Sequence, residues 1–139
     1  MGNESLQNKQ LVRESIECVW RQRQLDDLGR FLAEDFVDHG APPGVAPGPD
    51  GFADGVRRIL SAFPDARNDI DDIVAEGDRV VVRWTMTGTH AGDALGFPAT
   101  GRAIRLTGIT ISRIVAGRIA EHWSFRDDIG MLRQLGLMP

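Results

Sequence analysis

Tyrosine is absent from this chain, so no mechanism that rests on a phenolic hydroxyl is open to it. Cys18 is the single cysteine, which excludes an internal disulfide. Its place among Val12, Ile16 and Val19 is that of a buried, inert thiol. Lys9 is the only lysine among 16 basic residues, an arginine bias that points to a GC-rich genome. The formal charge is −4, and no basic patch offers itself to nucleic acid. Only three histidines occur, His39, His90 and His122, none at metal-ligand spacing with another. No apolar run reaches the roughly 20 residues that a membrane span needs. The N-terminus MGNESLQNKQ lacks the apolar core of a signal peptide, so a cytoplasmic location is expected.

What is present is the material of one ordinary domain, 1–139. Residues 5–24 read as a helix, with Leu6, Val12, Ile16, Val19 and Trp20 on one face. LDDLGRFL (25–32) reads as a second helical piece and FVDH (36–39) as a short strand. GAPPGVAPGPDG (40–51) is dense in proline and glycine and is expected to be a loop. A third helix is predicted over 52–63, ended by Pro64. The period then changes to alternation, predicting strands near 66–75, 79–90, 102–115 and 118–127. A last short helix follows from Asp128 to Leu135 and stops at Gly136. Helices first and strands after predict an α+β fold, with three N-terminal helices on a strongly curved antiparallel sheet. The mouth of such a cone is a natural pocket.

The last hairpin supplies the candidate site. Reading VAG (115–117) as a three-residue loop pairs Ile114 with Arg118 and Ile111 with Glu121. One face then holds Ile109, Ile111, Ile119, Trp123 and Phe125, and the other Thr110, Ser112, His122, Ser124 and Arg126. The apolar face is expected to meet the helices, and strict alternation places Asp127 with it. Asp128 then stands outside as a helix cap. A carboxyl group in an apolar pocket has its charged form disfavoured, which suits a general acid or base. Asp127 as a cap, or paired with Arg105, is the competing structural reading. His39 and His90 are pocket candidates, against loop anchoring for the first and simple burial for the second. His122 falls on the outer face. Glu121 and Arg113 read as an inward-facing pair.

FVDHGAPPG (36–44), AFPDA (62–66), GDRVVVRWTMTGTHAGDALGFPATGR (77–102) and AEHWSFRDDIGMLRQLG (120–136) carry a resemblance over nearly the whole chain. The chain resembles the SnoaL-like polyketide cyclases of the NTF2-like superfamily. The resemblance implies a cone-shaped α+β barrel, usually a homo-oligomer (dimer or tetramer). It also implies a cofactor-free, metal-free enzyme that closes a ring of an aromatic polyketide ester by intramolecular aldol condensation. The family's acid/base aspartate lies four residues after a strand tryptophan and three before a helix glycine. By that spacing the resemblance places it at Asp127, after Trp123 and before Gly130. His39, Trp84, His90, Ile111, Arg113, Trp123 and Phe125 then bind a flat, hydrophobic polycyclic substrate. Arg113 stands near a polar pocket residue of the family, either binding an anionic group or pairing with Glu121.

Related chemistries fare worse on residues. Ketosteroid-isomerase-like and scytalone-dehydratase-like sites rest on tyrosines, and an epoxide-hydrolase-like Arg-x-Asp is missing, since Arg83-Trp84-Thr85 is the nearest match. The alternative from another class is a non-catalytic small-molecule-binding or accessory protein of the same fold, since fold alone does not fix function.

Overall fold

The computed structural model describes residues 2–139. A helix, α1, runs Gly2–Ile16 and opens into a wider π-helical turn at Glu17–Arg21. No proline interrupts this stretch, and Arg23, at φ 55°, turns the chain away. The helix predicted over 25–32 is reduced to one 3-10 turn, Leu28–Arg30. Leu32 instead opens strand β1, Leu32–Asp38. Helix α2, Gly48–Ala62, begins inside the stretch expected to be loop. Pro47 and Pro49 are tolerated because the first turn of a helix leaves its N–H groups unpaired anyway. Strands β2 (Arg67–Glu76), β3 (Arg79–Thr89), β4 (Ala103–Val115) and β5 (Arg118–Arg126) follow, then α3 (Asp128–Gln134).

The five strands form one sheet in the order β1-β5-β4-β3-β2. It is antiparallel except that β1 runs parallel to β5. The fold is therefore α+β as predicted, with a mixed sheet, and the third true helix lies at the C-terminus. Register shifts interrupt β1–β5, β2–β3 and β4–β5. Such bulges bend a strand and increase its twist.

The β4–β5 turn differs from the three-residue loop. Val115 pairs with Arg118, leaving Ala116 and Gly117 as a two-residue turn with φ of 49° and 76°. Both central residues being left-handed is the mark of a type I′ hairpin, which glycine makes cheap. Ile114 pairs with Ile119, but Arg113 pairs with Glu121. Ala120 is thus an extra residue, and Ile111 sits opposite Trp123, not Glu121.

The bulge decides which side chains face inward. Ile119 is buried, as an inward residue should be. After the extra residue the parity changes, so His122, Ser124 and Arg126 turn inward as well. The expectation that Ile111, Trp123 and Phe125 face the helices is overturned. Ile109 is 45% exposed and Phe125 71% exposed. On β4 the inward residues are the even ones throughout, with Ile104, Leu106 and Ile114 buried around Thr110 and Ser112.

Candidate functional site

Helices α1 and α2 and the inner face of the sheet enclose a cavity of about 320 Å³. This lies within the range of small-molecule sites. Its walls are mainly apolar, with Val82, Trp84 and Met86 from β3 and Phe52, Val56 and Ile59 from α2. Polar groups enter from several elements, Ser15 on α1, Asp38 on β1, Arg58 on α2, Asn68 on β2 and Asp128 on α3, and the densest group of them is on β4 and β5. That group is Ser112 and Thr110 from the first strand and His122, Ser124 and Arg126 from the second.

His122 and Asp38 form the charged centre. Their Nε2 and Oδ1 atoms lie 3.0 Å apart. The parallel β1–β5 pairing sets this up, because Asp38 is the register partner of His122. The imidazole is held edge-on by Phe36 at 5.0 Å and Phe52 at 5.6 Å. Its side chain is only 12% exposed. Asp38 also accepts the Gly40 N–H at 2.9 Å. Partial burial pushes the Asp38 carboxyl up, but the hydrogen bond and charge of His122, the Gly40 N–H and Arg126 together hold it below the usual carboxylate range. A carboxylate beside one ring nitrogen is the usual partner of the N–H, which makes the other nitrogen, here Nδ1, the one open to accept. Nδ1 has no hydrogen-bond partner among the described residues.

The two adjacent aspartates exchange their expected positions. Asp127 is the N-cap of α3, and its Oδ1 accepts the Gly130 N–H at 3.0 Å. It does not line the cavity, and it does not pair with Arg105, whose backbone is clasped by Gln134 at both N–H and C=O. Asp128 lines the cavity mouth and stands 3.4 Å from Arg126. The parity switch at Ala120 carries on to the end of the strand, so the even-numbered Asp128 stands on the cavity side and Asp127 does not.

Of the other expected pocket residues, Trp84 alone lines the cavity. His39, Arg113 and Trp123 share the outer face. His39 stacks on Trp123 at 4.8 Å and meets Glu121 at 2.7 Å, while Arg113 meets the other Glu121 oxygen at 2.5 Å. Those two partners hold Glu121 below the usual carboxylate range. Ile111 and Phe125 lie on the same outer face. His90 is fully buried beside Phe63 and Phe97, and its Nδ1 accepts the Thr100 N–H at 3.1 Å. It pins the 91–102 connection to the end of β3 and does not reach the cavity.

His122, Asp38, Ser124 and Thr110 were not among the candidates. A signal did exist. Thr110, Ser112, His122, Ser124 and Arg126 form an unbroken polar stripe on two strands, and Ile104, Leu106 and Ile114 flank it in phase. Among the described residues no group of three or more His, Cys, Asp or Glu converges as a metal site would require.

A family model described as SnoaL-like polyketide cyclase matches residues 10–135. The chain belongs to the SnoaL-like polyketide cyclase family. It is 33% identical over 131 residues to the aklanonic acid methyl ester cyclase DauD of a Streptomyces species, a match covering 91% of this chain and 80% of that one. It is 31% identical over 113 residues to the nogalonic acid methyl ester cyclase of Streptomyces nogalater, covering 80% and 84%. The structure of TsrD from Streptomyces laurentii superposes with a TM-score of 0.86 at 32% identity, covering 96% and 97%. As a SnoaL-like chain it places its polar centre at the junction of β1 and β5. No helix is long and apolar enough to cross a membrane.

Proposed function

We propose that this protein closes a carbocycle in a polyketide-derived small molecule by intramolecular aldol condensation, with Asp38 and His122 handling the proton. The observation that carries the reading is a carboxylate–imidazole pair set into an apolar cavity of about 320 Å³. Nδ1 of His122 takes a proton from a carbon next to a carbonyl. The enolate carbon attacks a second carbonyl in the same molecule, forming the new C–C bond. The resulting alkoxide takes the proton back from the imidazolium. Asp38 holds the ring and stabilises its charged form, as a carboxylate does for a catalytic histidine. Electrons and protons balance within one substrate, so the steps call for no redox partner. Holding both carbonyl centres in one folded conformer is the other contribution of the apolar wall.

The family motif supports Asp127 as the acid/base instead, and the two readings separate by substitution. Serine can cap a helix but cannot take a proton from carbon. If Asp127 acts only by fixing α3, whose Asp128 and Met131 line the mouth, Asp127→Ser keeps turnover of aklanonic acid methyl ester or a related ester while His122→Gln loses ~10²-fold or more. Loss with Asp127→Ser and retention with His122→Gln would restore Asp127 as the acid. Binding of the ester without turnover by the wild-type protein would favour the accessory-protein reading.

The homo-oligomer belongs to the same proposal. Phe125 and Ile109 expose apolar surface on the outer sheet face, around the stacked His39 and Trp123. Covering that face with a second copy would remove it from water.

A further inference from the structure

Three side chains in the cavity have no part in the proton transfer just described. Trp84 Nε1–H donates to Thr110 Oγ1 at 3.0 Å. Thr110 Oγ1 and Ser124 Oγ lie 2.5 Å apart. All three groups line the cavity. Two hydroxyls carry two protons, and the bond between them uses one. The second hydroxyl proton has no acceptor among the described residues. The chain Trp84 to Thr110 to Ser124 therefore ends in a donor, and each bond polarises the next.

Gly108 makes this chain possible. It lies between Trp84 on β3 and Arg126 on β5 in the register. A Cβ at Gly108 would occupy the space of the Trp84 indole ring. The indole lies flat across β4 only because that position has no side chain, and this brings Nε1 to Thr110. A glycine inside a strand marks such a close approach.

Ser124 is two residues beyond His122 on the same face, so the two are spaced roughly 6.6 Å along the strand. A base and a donor at that distance can bracket an H–C–C=O unit. We propose that the terminal hydroxyl of this chain, Ser124 in the Trp84-to-Ser124 direction, donates to the carbonyl oxygen of the substrate as it becomes an enolate. Ser124 touches the substrate, and Thr110 and Trp84 position and polarise it. The C–H bond breaks, its proton moves to His122 Nδ1, and the electron pair moves onto the oxygen that Ser124 faces. The hydroxyl keeps its proton throughout. This rests on the reading of His122 as the base and adds the enolate-binding group to the same site.

The test uses 2-naphthol, a flat enolate mimic whose absorption distinguishes the neutral from the ionised form. Wild-type protein should bind it with a larger ionised fraction than free naphthol has at the same pH. Ser124→Ala and the shape-conserving Thr110→Val should still bind it, with the ionised fraction lost. Trp84→Phe should reduce that fraction without abolishing it. With an ester substrate, Ser124→Ala should lower kcat by about 10²-fold with KM little changed, the usual effect of removing one such donor. Thermal unfolding of each variant checks the fold, and Thr110→Val serves if Ser124→Ala unfolds. An unchanged ionised fraction in both variants, or no binding by the wild type, overturns the inference. Loss of turnover in His122→Gln without loss in Ser124→Ala overturns it alone. Retained turnover in His122→Gln removes the reading beneath it.

Discussion

The two faces of the β4–β5 hairpin reverse the ordinary distribution of polarity. The inner face carries His122, Ser124, Thr110 and Ser112, and the helices cover it. The outer face carries Ile109, Ile111, Trp123 and Phe125 and is open, with Phe125 71% exposed. In a solid core the opposite would hold, since burying a polar group without a partner costs free energy. Here Thr110 pairs with Ser124 and His122 with Asp38 at the border of a cavity, so much of the cost is met locally. The outer face is apolar over several adjacent side chains, and a contiguous exposed apolar patch commonly marks a contact surface. Alternation identifies which residues share a face. It does not say which face is inside when one side holds a site and the other an interface.

Substitutions on the two faces sharpen this contrast. The largest effect is expected at His122→Gln, with kcat falling ~10²- to 10⁴-fold, while Glu121→Gln on the outer face leaves kcat near wild type. Steady-state kinetics with a methyl ester substrate checks both, and equal losses would erase the distinction between faces. Next in size is Phe125→Asp. It should shift the protein toward monomer in light scattering and leave cavity binding of 2-naphthol intact. A monomeric wild type would show that the outer face has no self-contact.

Smaller still is the cap of α3. Asp127→Ala should lower stability by about 1 kcal/mol, and Asp127→Ser should recover most of it. Denaturant unfolding measures the pair, and equal destabilisation would mean the carboxylate does more than cap.

The smallest effect concerns acid. Asp38 is held below its ordinary value of 3.8 in the folded chain. Its pairing therefore stabilises the fold fully above that unfolded value and is lost as pH falls through the lowered folded one. Asp38→Asn should flatten the acid end of the stability curve without changing its neutral shape. An unaltered acid limb would place the stabilising carboxylates elsewhere, for example at Glu121.

Much of the fold is legible residue by residue. Strands β2 to β5 start and end within one or two positions of where alternation places them, because period-2 patterning and the turns at Gly77 and Gly117 are local signals. Leu32 was harder. Its strand is short and parallel, paired with β5 more than 80 residues away. The start of α2 was hidden by prolines that read as loop formers but also fit a first helical turn. At the site, Trp84 was legible as a pocket wall, while the role of Gly108 under its ring shows only in the structure. Asp127 was legible as a carboxylate at the end of β5, and what the sequence left open was its hydrogen bond, in which Oδ1 accepts the Gly130 N–H.

By itself the sequence determined the α+β class, the spans of β2 to β5, the polar stripe on the last hairpin and the family. Those follow from local periodicity and from motifs that need no knowledge of distant contacts. The tertiary structure alone decided which side of the sheet the stripe faces, because one extra residue at Ala120 switches the parity of everything after it. It alone also brought Asp38 to His122. That contact depends on a parallel pairing across 84 residues, and no local pattern encodes a register between strands so far apart.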